Sequence, residues 1–177
     1  RMSIQKNQTQ VLRVLKKIKS KSNTLFQLYL IGDNTLSEGL KIKNFIKENN
    51  LSENVVLMDA QNNIEEYYRK FDLFVLSSLY EGCPNVLFEA MLSKCLCIIS
   101  EGANSDFFIK DKFNGLVYDG TDEMLEIKIK ESFDLLKSNR SNEIIENSYK
   151  YSVANFSLDK MIFSYDRIYK KAFTIKD

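Results

Sequence analysis

The feature that most restricts the fold of this chain is an alternation. Short apolar runs closed by turns alternate with stretches of helical periodicity. TLFQLYLIG (24–32), NVVLMDA (54–60), DLFVLS (72–77), LCIIS (96–100) and GLVY (115–118) read as strands. Val11, Leu12, Val14, Leu15 and Ile18 recur at helical spacing and predict a helix over 8–20. Thr35 and Glu38 are spaced as a capping box, and Asn63 with Glu66 marks a short helix start. A further helix is predicted from Pro84 to Leu92, and three more at 122–137, 141–154 and 158–172, with Ser141 and Ser157 as N-caps. Strands separated by helices must be parallel, with crossover helices on both faces. The expectation is therefore an α/β domain: a doubly wound, Rossmann-like parallel sheet with a helical C-terminal tail, formed by residues 1–177 as one unit.

Composition narrows the chemistry. The chain has 25 Lys and Arg against 24 Asp and Glu, so no net field draws it to nucleic acid, and none is expected as a partner. The count of 0 His removes Ser-His-Asp and Cys-His catalysis and argues against a zinc site. Cys83, Cys95 and Cys97 form no C-x-x-C pair and read as free, buried thiols in a reducing compartment. No apolar run reaches the ~20 residues that span a bilayer, and the first residues do not read as a signal peptide. Lys16, Lys17, Lys19 and Lys21 read as a solvated helix face, and the tyrosines Tyr67, Tyr68, Tyr149, Tyr151, Tyr165 and Tyr169 as core or half-exposed packing.

One stretch, SLYEGCPNVLFEAM (78–91), carries more than packing. It places Glu81 and Glu89 eight positions apart, with Gly82 and the single proline, Pro84, between them. The turn follows the third predicted strand, at the carboxyl end, where open α/β sheets bind ligands. Pro84 suits the first helical position, leaving the N–H groups of Asn85, Val86 and Leu87 to face the crevice as an anion site fit for a diphosphate. Gly82 permits close backbone approach. A carboxylate beside a phosphate does not bind it, so Glu89 reads as an acceptor for vicinal hydroxyls such as those of a ribose. Glu81 would face whatever lies on the other side of the diphosphate. The plain alternative is a Gly-Pro turn into a helix whose early glutamate merely answers the dipole.

The Glu-x7-Glu pair within SSLYEGCPNVLFEAM resembles the signature of retaining GT-B glycosyltransferases of family 4. RMSIQKNQ, LYLIGDN, NVVLMDA, YYRKFDLFVLSS, FNGLVYDG and FSLDKMIFSYDRIY fall in that family's order and spacing. Nearly the whole chain thus resembles the C-terminal, nucleotide-sugar-binding half of a GT-B fold. The resemblance implies that Glu89 binds the ribose hydroxyls and that Glu81 contacts the donor sugar near the reacting carbon. It implies that Gly82, Asn85, Val86 and Leu87 hold phosphate or sugar through their backbone. Lys6 and Arg1 would neutralise the leaving diphosphate, as a departing group that gains charge requires. The base would lie near Gly32 and Ala60.

The implied reaction is metal-independent transfer of a hexose or N-acetylhexosamine from a UDP- or GDP-sugar to a lipid-linked glycan. The setting would be bacterial surface polysaccharide synthesis (O-antigen or capsule), in the cytoplasm at the inner membrane face. Lys94 and Leu96 stand where the family has Gly and Pro, which predicts a disturbed loop before the fourth strand, and EGANSDFF matches its glycine-rich loop loosely. The acceptor-binding N-terminal domain and the first strand, expected before Arg1, are not in this sequence. That strand is central in the doubly wound order, so its neighbours are expected to show unpaired edges, and this domain alone to bind donor without turnover. Two alternatives keep the scaffold: a UDP-sugar epimerase, disfavoured by the lack of histidine, and a flavodoxin-like binding or signalling domain. For the latter, Asp33, Asp59 and Asp72 do not form a receiver's acidic cluster.

Overall fold

The computed structural model of the chain describes residues 1–21 and 25–174. The elements follow in the order α1 (Gln8–Lys21), β1 (Leu28–Ile31), α2 (Ser37–Glu48), β2 (Val55–Met58), α3 (Ile64–Tyr68), β3 (Leu73–Leu76) and α4 (Asn85–Leu92). Then come β4 (Leu96–Ser100), β5 (Leu116–Tyr118), α5 (Asp122–Lys137), α6 (Ser141–Phe156) and α7 (Leu158–Thr174). The first strand is shorter than its apolar run, and residue 24 of that run lies outside the described residues.

Every strand pairing is parallel. Leu30 sits opposite Leu57 in β1–β2, Val75 opposite Ile98 in β3–β4, and Ile99 opposite Val117 in β4–β5. The pairs form two sheets, β1-β2 and β3-β4-β5. Between them, Leu28, Leu30, Leu73 and Val75 line one cavity of about 390 Å³. Among the described residues β1 pairs only with β2 and β3 only with β4, and both line the cavity.

The central strand β4 is buried along its whole length, as a strand covered on both faces must be. Its alternation sends Ile99 into a cluster with Phe88, Met91 and Phe108 and Ile98 into one with Val14, Ile18 and Leu125. A third cluster, of Met2, Leu12, Leu30, Ile42 and Val55, joins α1 and α2 to the first sheet. Phe88 stacks on Phe156 with centroids 3.6 Å apart, which fastens α6 to α4.

Several local expectations are corrected. The Thr35–Glu38 capping box does not form, because Asp33 Oδ1 accepts from the Thr35 hydroxyl (2.7 Å) and N–H (3.0 Å), and Leu36 takes the N-cap position. Asn63 is at its predicted N-cap without a side-chain bond. Ser157 caps α7 by accepting from Lys160 N–H (3.3 Å), but Ser141 is already the first helical residue of α6. Cys95 and Cys97 are buried as expected and Cys83 is exposed.

The loop before β4 keeps a regular shape. Lys94 has φ 63°, the left-handed conformation a glycine favours, and Cys95 N–H closes the helix on Ala90 O (3.0 Å). Tyr68 is buried, but Tyr165 and Tyr169 lie on an exposed apolar face of α7 with Met161, Ile162 and Ile168. Among the described residues no helix is long and apolar enough to cross a membrane.

The first-helix lysines do more than meet solvent. Lys17 and Lys21 reach Glu126 of α5, and Arg13 forms a fork on Asp122 at 2.9 Å, with Gln10 adding a third donor. The Arg13 hydrogen bonds hold the Asp122 carboxyl below its usual range, against the opposing effect of burial. A depressed folded pKa adds stability that is present above the unfolded value of about 3.9 and lost as pH falls through the folded value. Asp122→Asn is predicted to lower stability by about 0.5–1 kcal/mol at neutral pH, a modest figure because the pair is partly solvated. Urea unfolding from pH 7 downward should show this difference vanish in strong acid; an undiminished difference there would contradict the account.

Candidate active site

The site is assembled by residues 1–7 lying across the carboxyl ends of two strands. Met2 is buried and its N–H donates to Asp33 O (2.9 Å) beyond β1. Leu79 N–H donates to Gln5 O (2.8 Å), and the Ser77 hydroxyl to the carbonyls of Lys6 (2.9 Å) and Asn7 (3.2 Å), beyond β3. Gln5 Nε2 closes the frame on Tyr80 O (2.9 Å). These bonds bring Lys6 against Glu81, 75 positions away in sequence, with Nζ 2.6 Å from Oε1. The Glu81 side chain is only 10% exposed and that of Lys6 27%, so the pair lies half out of water.

Arg1, Lys6, Gly32, Ala60, Val86 and Glu89 all line the mouth of the cavity between β1 and β3. The structure thus collects in one crevice residues predicted from four separate segments. Arg1 is exposed and its backbone abuts Gly32, whose φ of 144° and missing Cβ allow that approach, since a Cβ there would lie 3.1 Å from Arg1 N. Tyr68 lies beside Glu89; burial first, and then that carboxylate, push its phenol well above the ordinary range. The Tyr68 phenol therefore stays protonated beside Glu89. Among the described residues no cluster of His, Cys, Asp or Glu is placed to hold a metal ion.

The helix start differs from expectation. Pro84 is the N-cap, with φ −81° and ψ 86°, and α4 begins at Asn85. Asn85 N–H is taken by Cys83 O (3.1 Å) and Leu87 N–H by Pro84 O (2.9 Å). Of the three predicted donors, Val86 N–H alone makes no bond within the described residues. The tight turn enforced by Pro84 consumes the other two. The Leu87 side chain is fully buried in the core, and Asn85 is exposed on the far side with Cys83.

Sequence reasoning missed the parts that hold this geometry: Gln5, Ser77 and Gly102. Gly102 sits in a 3₁₀ turn (Glu101–Ala103) packed so closely on the Glu81 loop that a Cβ would lie 2.1 Å from Leu79 O. Ser105 Oγ also donates to Glu81 O (3.3 Å). A Cβ on Gly82, by contrast, would meet nothing within 4 Å, so the protein's own packing does not require that glycine. Gly102→Ala is predicted to cost about 1–3 kcal/mol and Gly82→Ala within about 0.5 kcal/mol. Thermal unfolding of both variants checks this, and equal shifts would contradict the proposed role of Gly102.

The family described as Glycosyl transferases group 1 matches residues 1–151. The putative glycosyltransferase EpsF of Bacillus subtilis (strain 168) is 43% identical over 76 residues, 43% of this chain and 19% of that protein. A Campylobacter jejuni N-acetylgalactosaminyltransferase, named for an N,N'-diacetylbacillosaminyl-diphospho-undecaprenol substrate, is 32% identical over 63% of this chain and 30% of its own length. Among solved structures, a glycosyltransferase from Rickettsia africae ESF-5 superposes with TM-score 0.88 at 22% identity, covering 97% of this chain and 45% of that one. HepE of Anabaena in complex with UDP gives 0.86 at 16%, over 97% and 47%. The chain spans less than half the length of these relatives, and its fold is the α/β architecture of GT-B glycosyltransferases. With the family match extending over most of its residues, the chain belongs to the group 1 glycosyl transferases.

Proposed function

We propose that residues 1–177 are the nucleotide-sugar-binding domain of a retaining glycosyltransferase whose acceptor domain lies elsewhere in the full protein. The observation that carries this reading is the meeting of Lys6, Glu81, Glu89 and the start of α4 at the carboxyl end of β3, around one crevice. Family membership favours a glycosyltransferase over the epimerase and signalling alternatives.

In this reading the diphosphate lies at the Val86 N–H, with Lys6 and Arg1 as fixed cations that stabilise the charge gained by the departing nucleoside diphosphate. Glu89 accepts from the ribose hydroxyls, with the buried Tyr68 phenol beside it. Glu81 faces the donor sugar. Gly32 and Ala60, at the ends of β1 and β2, border the base. Asn85, Gly82 and Leu87 contribute backbone shape to the turn.

The donor nucleotide is UDP in this proposal, supported by neighbours of the same fold solved with UDP or UDP-glucose. The transferred group is a hexose or N-acetylhexosamine. The acceptor is a lipid-linked glycan of a surface polysaccharide, supported by relatives named for diphosphoundecaprenol substrates and capsule synthesis. In this proposal the full enzyme works at the inner face of the cytoplasmic membrane, a setting supported by relatives named for diphosphoundecaprenol substrates.

The test is Glu89→Ala. Two ribose hydroxyls lose an ionised acceptor, so UDP affinity should fall by about 1.5–3 kcal/mol, roughly ten- to a hundredfold. Calorimetric titration of UDP into the folded variant measures it. Unchanged affinity would remove Glu89 from the site.

A further inference from the structure

The Lys6–Glu81 ion pair poses a problem for a site that must hold a diphosphate. Lys6 reaches the loop that leads into α4, yet its ammonium is committed there to a carboxylate at 2.6 Å. Glu81 is the more buried partner, at 10% exposure, and water can only partly replace Lys6 if the lysine turns away. Among the described residues no other cation pairs with Glu81. Neighbouring contacts engage the backbone of this loop and leave its carboxylate to Lys6: Ser105 Oγ donates to Glu81 O and Gln5 Nε2 to Tyr80 O.

We propose that this pair is a latch that discriminates the sugar-bearing donor from the spent nucleoside diphosphate, which makes Glu81 a specificity-determining residue. The inference rests on the crevice being a donor site. In this latch Lys6 turns from Glu81 toward the diphosphate, and the Glu81 carboxylate gives up its 2.6 Å partner. A donor offers hydroxyl groups that replace the lost N–H donor, so the carboxylate stays satisfied. Free nucleoside diphosphate has no sugar. It leaves Glu81 unpaired and adds another negative charge, because its terminal phosphate ionises with a pKa near 6. The intact pair thus opposes rebinding of the product while costing the donor little. Residue roles taken one by one predict that loss of Glu81 leaves UDP affinity unchanged; the ion pair reverses that expectation.

The experiment is a double-mutant cycle on the full natural length of the protein, with UDP and GDP as probes in calorimetric titration and circular dichroism as a check of fold. Glu81→Gln keeps the shape and removes the charge. It is expected to bind UDP, or GDP if that is the nucleotide bound, about three- to tenfold tighter than the wild type. In a Lys6→Met background the same Glu81→Gln change should alter affinity less than about twofold, because no latch remains to open. Equal or weaker binding by folded Glu81→Gln overturns the latch. So does the same tightening without Lys6, which would reduce Glu81 to simple repulsion. Both results leave the donor site standing. Failure of the wild type to bind either nucleotide would instead overturn the donor-site reading, and the latch with it.

Discussion

The backbone of residues 1–7 is the tie on which the site depends. Among the described residues the two sheets do not pair with each other, and residues 2–7 bridge their carboxyl ends. They do so through Met2 N–H to Asp33 O, Leu79 N–H to Gln5 O and the Ser77 hydroxyl to the carbonyls of Lys6 and Asn7. These are bonds between main-chain groups or to them, so they fix the path of the segment whatever its exposed side chains are. Buried Met2 holds one end in the core shared by α1 and β1. With that path fixed, Lys6 must arrive beside the β3 turn. Without it, the cation would sit on a loosely held segment and would pay the full entropy of ordering when a ligand bound.

The second constraint is the parallel direction of the strands. It puts every turn that follows a strand at one rim: Gly32 after β1, Ala60 after β2, Glu81 after β3 and Glu101 after β4. Gly32, Ala60 and Val86, far apart in sequence, therefore border one crevice with no further design, which is why open parallel sheets bind ligands there. The close packing of Gly102 on Leu79 then holds the β4 rim against the β3 rim. Burial makes the ion pair at this rim matter. A lysine and a glutamate in full solvent would be worth little to each other, but a carboxylate at 10% exposure needs a donor at all times.

Much of this was legible in the sequence. The apolar runs located the strands because strands buried on both faces need continuous apolar residues, and LCIIS was read to its last residue. Glu81, Glu89, Lys6, Arg1, Gly32 and Ala60 were identified, and most of them line one cavity mouth. What was not legible depends on competition between local partners. Asp33 outbids Glu38 for Thr35, and Pro84 turns the chain so tightly that Asn85 and Leu87 spend their N–H groups locally. Lys94 adopts φ 63° where glycine was expected, because the bonds that close α4 outweigh the strain. The Lys6–Glu81 pair spans 75 positions, and no spacing rule reaches that far.

The central claim is that the crevice at the carboxyl ends of β1 and β3 binds a nucleoside diphosphate. Its most direct test is calorimetric titration of the folded protein with UDP, GDP and ADP, with uridine as a control that lacks phosphate. The account predicts saturable binding of one diphosphate, UDP by the present reading, weakened by salt and much weaker for uridine. Equal affinity for uridine and UDP would contradict it, because Lys6 and the start of α4 would then have no part in recognition.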